Sequence, residues 1–135
     1  MATKIFVVED HETTARALKM YLETQGYEVT HAATMKSALK AADNNFDLLI
    51  CDISLPDGSG WDLMKKLSAR KPVRGIAFTA SGTPEDIARS KKVGFVRHLV
   101  KGSPAEELIL AIEDVLKNNT PPARRKSSQA PRSKQ

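Results

Sequence analysis

Cysteine occurs once in these 135 residues, at Cys51. No internal disulfide can form, which suits a reducing compartment, and Cys51 reads as a small core residue. The opening MATKIFVVED lacks the basic flank and long apolar stretch of a secretory signal. No apolar run reaches the length needed to span a bilayer, so membrane insertion is not expected and a cytoplasmic location is. Aromatic residues are sparse, and residues 120–135, TPPARRKSSQAPRSKQ, have none. That stretch also lacks acid: Arg124, Arg125, Lys126, Arg132 and Lys134 account for the whole net charge of +5 and leave the rest of the chain neutral, with sixteen charges of each sign. Rich in Pro, Ser and base, residues 119–135 are expected to form a disordered tail. Without aromatic rings to stack on bases, the tail argues against nucleic acid as a partner. The remaining residues, 1–118, suit one domain.

Within that domain, apolar strand-like runs alternate with helical patterns. Lys4–Val8, Tyr27–His31, Phe46–Cys51, Arg74–Phe78 and Phe95–Val100 read as strands. Thr13–Thr24 carries Ala17, Leu18, Tyr21 and Leu22 at helical spacing. Gly26 and Gly94 sit where helices should end. Thr83-Pro84-Glu85-Asp86 and Ser103-Pro104-Ala105-Glu106 each set a capping hydroxyl before a first-turn proline, with an acid three residues on. Strands alternating with helices imply a parallel sheet covered on both faces. Five such units suit the α/β flavodoxin-like doubly wound sheet, with strand order 2-1-3-4-5. Met20, Met35 and Met64 are expected as core filling, and Trp61 as a cover for the start of the third helix. His11 and His31 lack Cys or His companions at metal-ligand spacing and read as surface or strand-end residues. Pro56, Gly58 and Gly60 form the turn after the third strand.

The segment LLICDISLPDGSG, residues 48–60, drives Asp52 to the end of a buried strand, where an ionised carboxylate is costly unless something pairs with it. In the order 2-1-3-4-5 the first and third strands are neighbours, so Glu9 and Asp10 meet Asp52 at one crevice. Two such charges about 4 Å apart repel by roughly 4 kcal/mol at an effective dielectric of 20, so a proton or a cation is required. Magnesium suits the site, because it accepts one or two carboxylates, keeps several waters and favours phosphate oxygens. Thr79, after the fourth strand, and Lys101, after the fifth, bring a hydroxyl and an ammonium to the same crevice. Together these groups can stabilise a phosphoryl group on Asp52.

The motifs VVED (7–10), DISLPDGSG (52–60), FTAS (78–81) and HLVKG (98–102), each ending a strand and in this order, resemble those of response-regulator receiver domains over residues 3–118. In finer detail they are similar to receivers at the C-terminal end of hybrid sensor histidine kinases. The resemblance implies that Asp52 is the phosphoacceptor, with Asp10 and Asp52 binding Mg2+ directly. Glu9 would assist through water, and the backbone carbonyl of Ser54 would be a further ligand. It implies that Thr79 contacts the phosphoryl group and that Lys101 pairs with it. The expected partner is a histidine kinase or a histidine phosphotransfer protein. The expected output is protein contact, with room for a dimer, through the face made by the fourth helix, fifth strand and fifth helix. No output domain is expected in a tail this short. The chain would be a signalling phosphoacceptor that assists its own chemistry, not an enzyme in the usual sense.

Two positions depart from the family pattern. His98 stands where receivers carry the Tyr or Phe that turns inward on activation, and it is the remaining candidate switch residue. Gly102 replaces the proline that normally follows the lysine. A trans Lys101–Gly102 bond is expected, with Lys101 held less firmly than proline would hold it. A haloacid-dehalogenase-type phosphatase is excluded because its nucleophile ends the first strand in a DxD pattern, whereas this strand ends Glu-Asp-His. A flavodoxin-like redox carrier is disfavoured by Glu9, Asp10 and Glu12, which would repel a flavin phosphate. The alternative left standing is a receiver-like interaction module that works without phosphorylation.

Overall fold

Every residue of Leu48–Cys51 is buried, as are Ile5, Phe6, Val7 and Val8 of the neighbouring strand. Only strands covered on both faces can be apolar without alternation, and the computed structural model, which describes residues 2–117, shows that arrangement. The tail expected over 119–135 lies outside the described residues.

Chain order is β1 (Lys4–Val8), α1 (Glu12–Thr24), β2 (Glu28–Ala32), α2 (Met35–Ala41), β3 (Leu48–Cys51), a short hairpin of β4 (Ser54–Leu55) and β5 (Gly58–Ser59), α3 (Gly60–Arg70), β6 (Gly75–Thr79), α4 (Pro84–Val93), β7 (Arg97–Val100) and α5 (Ala105–Lys117). The five long strands form one parallel sheet in the order β2-β1-β3-β6-β7. This is the doubly wound flavodoxin-like order expected from sequence, once the hairpin strands are set aside. The first strand has the expected bounds, and the other expected strands and the first helix differ by one or two residues. The turn at Pro56-Asp57 closes an antiparallel hairpin where the residue types alone predict only a turn.

Alternate strand residues feed two cores. Ile5, Val7, Leu48, Ile50 and Ile76 pack with Leu18 and Leu22 of α1 and Leu108, Ile112 and Val115 of α5. Phe6, Val8, Leu49, Cys51 and Ala77 pack on the other face with Met35 and Ala38 of α2 and Leu63, Met64 and Leu67 of α3. Each fully buried Leu or Ile stabilises the fold by about 1.5–3 kcal/mol. Met35 and Met64 fill the core as expected, whereas Met20 is 61% exposed on the outer face of α1. The helix spacing that suggested burial places it on the solvent side of Leu18 and Leu22.

Helix boundaries follow their local chemistry. Thr83 accepts a hydrogen bond from the backbone N–H of Asp86, with Pro84 in the first turn. Gly26 and Gly94 take positive φ, 93° and 117°, just past the ends of α1 and α4. The expected cap at Ser103 differs: α5 begins at Ala105, so Pro104 precedes it and its carbonyl accepts from the N–H of Glu107.

Gly60 fixes how closely α3 approaches the end of β3. Its N–H donates to the carbonyl of Ile53 at 2.7 Å, and a Cβ added there would lie 2.3 Å from the backbone oxygen of Asp52 and 3.0 Å from Ile53 Cα. Backbone atoms cannot move aside cheaply. Gly60→Ala is therefore expected to cost about 2 kcal/mol of stability, read as a lower urea midpoint. An unchanged midpoint would mean that the junction of β3 and α3 is not held tightly.

Candidate functional site

Asp52 follows the buried run of β3 and is itself 6% exposed. Its backbone N–H continues the ladder to the carbonyl of Val8 at 2.9 Å, which sets it beside the residue that follows β1. That residue, Glu9, is 1% exposed. Two carboxylates so deep in the molecule need a cation, and Lys101, just past the end of β7, supplies it. Its Nζ lies 2.8 Å from Asp52 Oδ2 and 2.7 Å from Glu9 Oε1. The second oxygen of each carboxylate takes a backbone N–H: Ser54 donates to Asp52 Oδ1 at 3.2 Å, and His11 donates to Glu9 Oε2 at 3.1 Å.

The charges act on one another. Burial pushes the Glu9 carboxyl above its ordinary range, and the Asp52 charge adds to this, while the hydrogen bonds from Lys101 and His11 offset part of it. Burial alone would lower the Lys101 ammonium, but its bonds to Asp52 and Glu9 outweigh that and raise it. Cys51, enclosed beneath the pair, is held as a thiol first by burial and then by the Asp52 and Glu9 charges.

The other expected residues sit around this pair. Asp10 is exposed, and it offers an oxygen within 4.8 Å of ligand atoms from both Glu9 and His11. Ser54 opens the hairpin after Asp52, and its N–H is already committed to that carboxylate. Thr79 ends β6 at 3% exposure, and its carbonyl accepts from the N–H of Lys101 at 2.8 Å. Its hydroxyl has no hydrogen-bond partner among the described residues, an open polar position in a buried place. His98 does not reach the carboxylates. Its ring is bonded to Ser90 and to the carbonyl of Ser81 in the loop after β6.

Both other histidines do more than the sequence suggested. His11 joins the acidic cluster at the head of α1. His31 donates from Nε2 to the backbone carbonyl of Glu9 at 2.7 Å, while the Glu9 N–H donates to Ala32 at 3.0 Å. β2 thus clamps the peptide that carries Glu9. The signal was available: in the order 2-1-3, residues at the end of β2 lie beside those that follow β1.

At Gly102 the peptide geometry agrees with expectation. No described peptide bond is cis, so Lys101–Gly102 is trans, as its energetic cost implies. Lys101 reaches both carboxylates across this trans bond. The Ser103 N–H closes a turn onto the carbonyl of Val100 at 3.3 Å, with Lys101 and Gly102 at its centre, and Gly102 takes φ 99°. Glycine adopts that left-handed angle freely, and proline, fixed near −65°, cannot. The glycine is the residue this turn requires.

Glu9 and Asp52 share one ammonium, which leaves one negative charge to be balanced, and exposed Asp10 beside Glu9 and His11 adds a second carboxylate nearby. This donor set fits a divalent, oxygen-preferring cation such as Mg2+.

Comparison with known proteins gives the same picture. A family model described as the response regulator receiver domain matches residues 5–113. The chain spans about half the length of the curated relatives it matches: it is 28% identical to the transcriptional regulatory protein ResD of Bacillus subtilis over 116 residues, 85% of this chain and 48% of ResD. Among solved structures, a CheY-like receiver domain protein from Methanospirillum hungatei superposes with a TM-score of 0.82 at 29% identity, covering 87% of this chain and 96% of that one. The response regulator TrrA of Thermotoga maritima, in complex with Mg2+ and beryllium fluoride, gives 0.76 at 28% identity over 84% of this chain and 98% of TrrA.

A raised lysine stabilises the fold fully below its ordinary value of 10.5, and that stabilisation is lost as pH climbs through the higher folded value. Lys101→Met is expected to cost about 3 kcal/mol at neutral pH, because two buried carboxylates lose their counter-charge. In urea unfolding above pH 10.5, the wild-type chain should lose an increment of stability that the variant does not. Parallel pH curves would show that Lys101 is not coupled to the pair in solution.

Proposed function

The chain belongs to the response-regulator receiver family, and on that footing we propose that it accepts a phosphoryl group on Asp52 within a two-component phosphorelay. One observation carries the reading: a buried aspartate at the sheet's switch point shares the ammonium of Lys101 with a second buried carboxylate, at 2.8 Å and 2.7 Å. The donor is a phosphohistidine of a histidine kinase or histidine phosphotransfer protein. A carboxylate oxygen of Asp52 attacks phosphorus, the nitrogen–phosphorus bond of the donor breaks, and the imidazole leaves with that bond's electron pair.

Each residue has a role of its own. Asp10, Asp52 and the backbone carbonyl of Ser54 would hold Mg2+, with Glu9 acting through water. The ion when bound supplies charge neutralisation of the phosphoryl oxygens. Lys101 turns from the carboxylate pair to the phosphoryl group on Asp52, and the open hydroxyl of Thr79 donates to another of its oxygens. His98 serves as the switch residue at the loop after β6. The acceptor assists its own transfer and hydrolysis without turning over a separate substrate. Output is through protein contact at the face of α4, β7 and α5, which also offers a dimer surface. Among the described residues no helix is long and apolar enough to cross a membrane, and we place the domain in the cytoplasm with its kinase.

Incubation with Mg2+ and acetyl phosphate, followed by intact mass, tests the reading. The wild-type chain should gain one phosphoryl group and Asp52→Asn should gain none. Equal labelling of the variant, or no labelling of the wild type by either acetyl phosphate or a phosphorylated phosphotransfer protein, would favour an interaction module that works unphosphorylated.

A further inference from the structure

Away from the carboxylate pocket, polar side chains from three elements converge on one enclosed hydroxyl. Ser90, in α4, is 0% exposed. Trp61, in α3, donates its indole N–H to Ser90 Oγ at 2.9 Å. His98 Nδ1, from β7, lies 2.8 Å from the same oxygen, and His98 Nε2 lies 2.7 Å from the carbonyl oxygen of Ser81. Arg89 covers the outer side of Trp61, with its guanidinium 4.2 Å from the ring centroid.

The protons in this group follow from what each end can do. An indole N–H only donates and a carbonyl only accepts. Nε2 of His98 therefore carries a proton, which it gives to Ser81. Ser90 Oγ receives the indole proton, and its own proton has one hydrogen-bond partner among the described residues, Nδ1 of His98. A neutral imidazole protonated on Nε2 satisfies every donor and acceptor in the series from Trp61 through Ser90 and His98 to Ser81. Ser90 Oγ is closed to water, and leaving it without its partner would cost about 1–3 kcal/mol.

Ser81 stands two residues beyond Thr79, in the loop between β6 and α4. The Ser81 hydroxyl is bonded to Asp86 in the first turn of α4, so the loop is tied at the side chain by α4 and at the backbone by His98. We infer that Ser90 and Trp61 are positioning residues that lock His98 in one tautomer, and through it fix the loop that follows Thr79 at the phosphoryl position. The inference rests on the proposed function only for that last role. Before phosphorylation the ring at position 98 is a hydrogen-bonded strut between α4 and the loop, and switching has to break those bonds.

The test uses the full chain with labelled imidazoles and no phosphodonor. Long-range nitrogen–proton spectra at neutral pH should show His98 protonated on Nε2 and not on Nδ1. Ser90→Ala should shift the Nδ1 resonance and speed amide exchange in residues 80–83 at least tenfold, with exchange in β1 and β3 unchanged. His98→Phe keeps a ring of similar size but removes both bonds, so it should give the same loop exchange even if Ser90→Ala folds poorly. With acetyl phosphate both variants should label Asp52 more slowly than wild type. A proton on Nδ1, or loop exchange unchanged in His98→Phe, overturns the inference. If the tautomer and the exchange behave as stated but wild-type Asp52 takes no label, the strut stands and the proposed function falls.

Discussion

The ammonium of Lys101, shared between the buried carboxylates of Glu9 and Asp52, is what lets two acids sit at the end of a closed parallel sheet. Neither acid could remain ionised at such depth alone, because desolvation of an unpaired charge costs several kcal/mol. One cation between two anions is still short of neutrality, and Asp10 at the rim widens the deficit. The fold thus maintains an unbalanced pocket, in which the folded state itself raises the Glu9 carboxyl above its ordinary range. A site of this kind is stable enough to form and charged enough to draw a divalent cation and a phosphoryl group.

Everything that converges there is aimed by strand order and by short backbone devices. The ladder from β1 to β3 sets Glu9 beside Asp52, and β2 clamps the Glu9 peptide through His31 and Ala32. Gly60 lets α3 begin against the backbone of Asp52. On the far side, the N–H of Lys101 hangs on Thr79, and the turn through Gly102 directs its side chain inward. Beyond Thr79 the loop is held by His98, whose own ring is held by Ser90 and Trp61. The crevice and the face formed by α4 and β7 are therefore joined by hydrogen bonds.

Much of this was legible in the sequence because it rests on pattern. Apolar runs ending in Glu9-Asp10, Asp52, Thr79 and Lys101 fix both the parallel sheet and the end of it that matters, since side chains at the carboxyl ends of adjacent strands must meet. The parts that were not legible depend on reach and angle. Met20 has the right residue type for a core but the wrong angle around α1. His31 looks isolated by spacing and becomes a neighbour of Glu9 only through strand pairing, whereas His11 joins it through the local turn into α1. Ser90 and Trp61 are 29 positions apart in the chain and share a hydrogen bond. The role of Gly102 turns on a single backbone angle, which residue type alone does not give.

The carboxylates of Glu9, Asp52 and nearby Asp10 outnumber the one ammonium at the crevice, and a divalent cation fits the deficit. Calorimetric titration of the unphosphorylated chain with Mg2+, alongside Asp10→Asn, tests this. Asp10 is exposed and forms no part of the Lys101 bridge, so its loss should leave the fold intact. Binding should weaken at least tenfold, or about 1.4 kcal/mol for one lost charged ligand. Equal affinity in the two proteins would contradict the account.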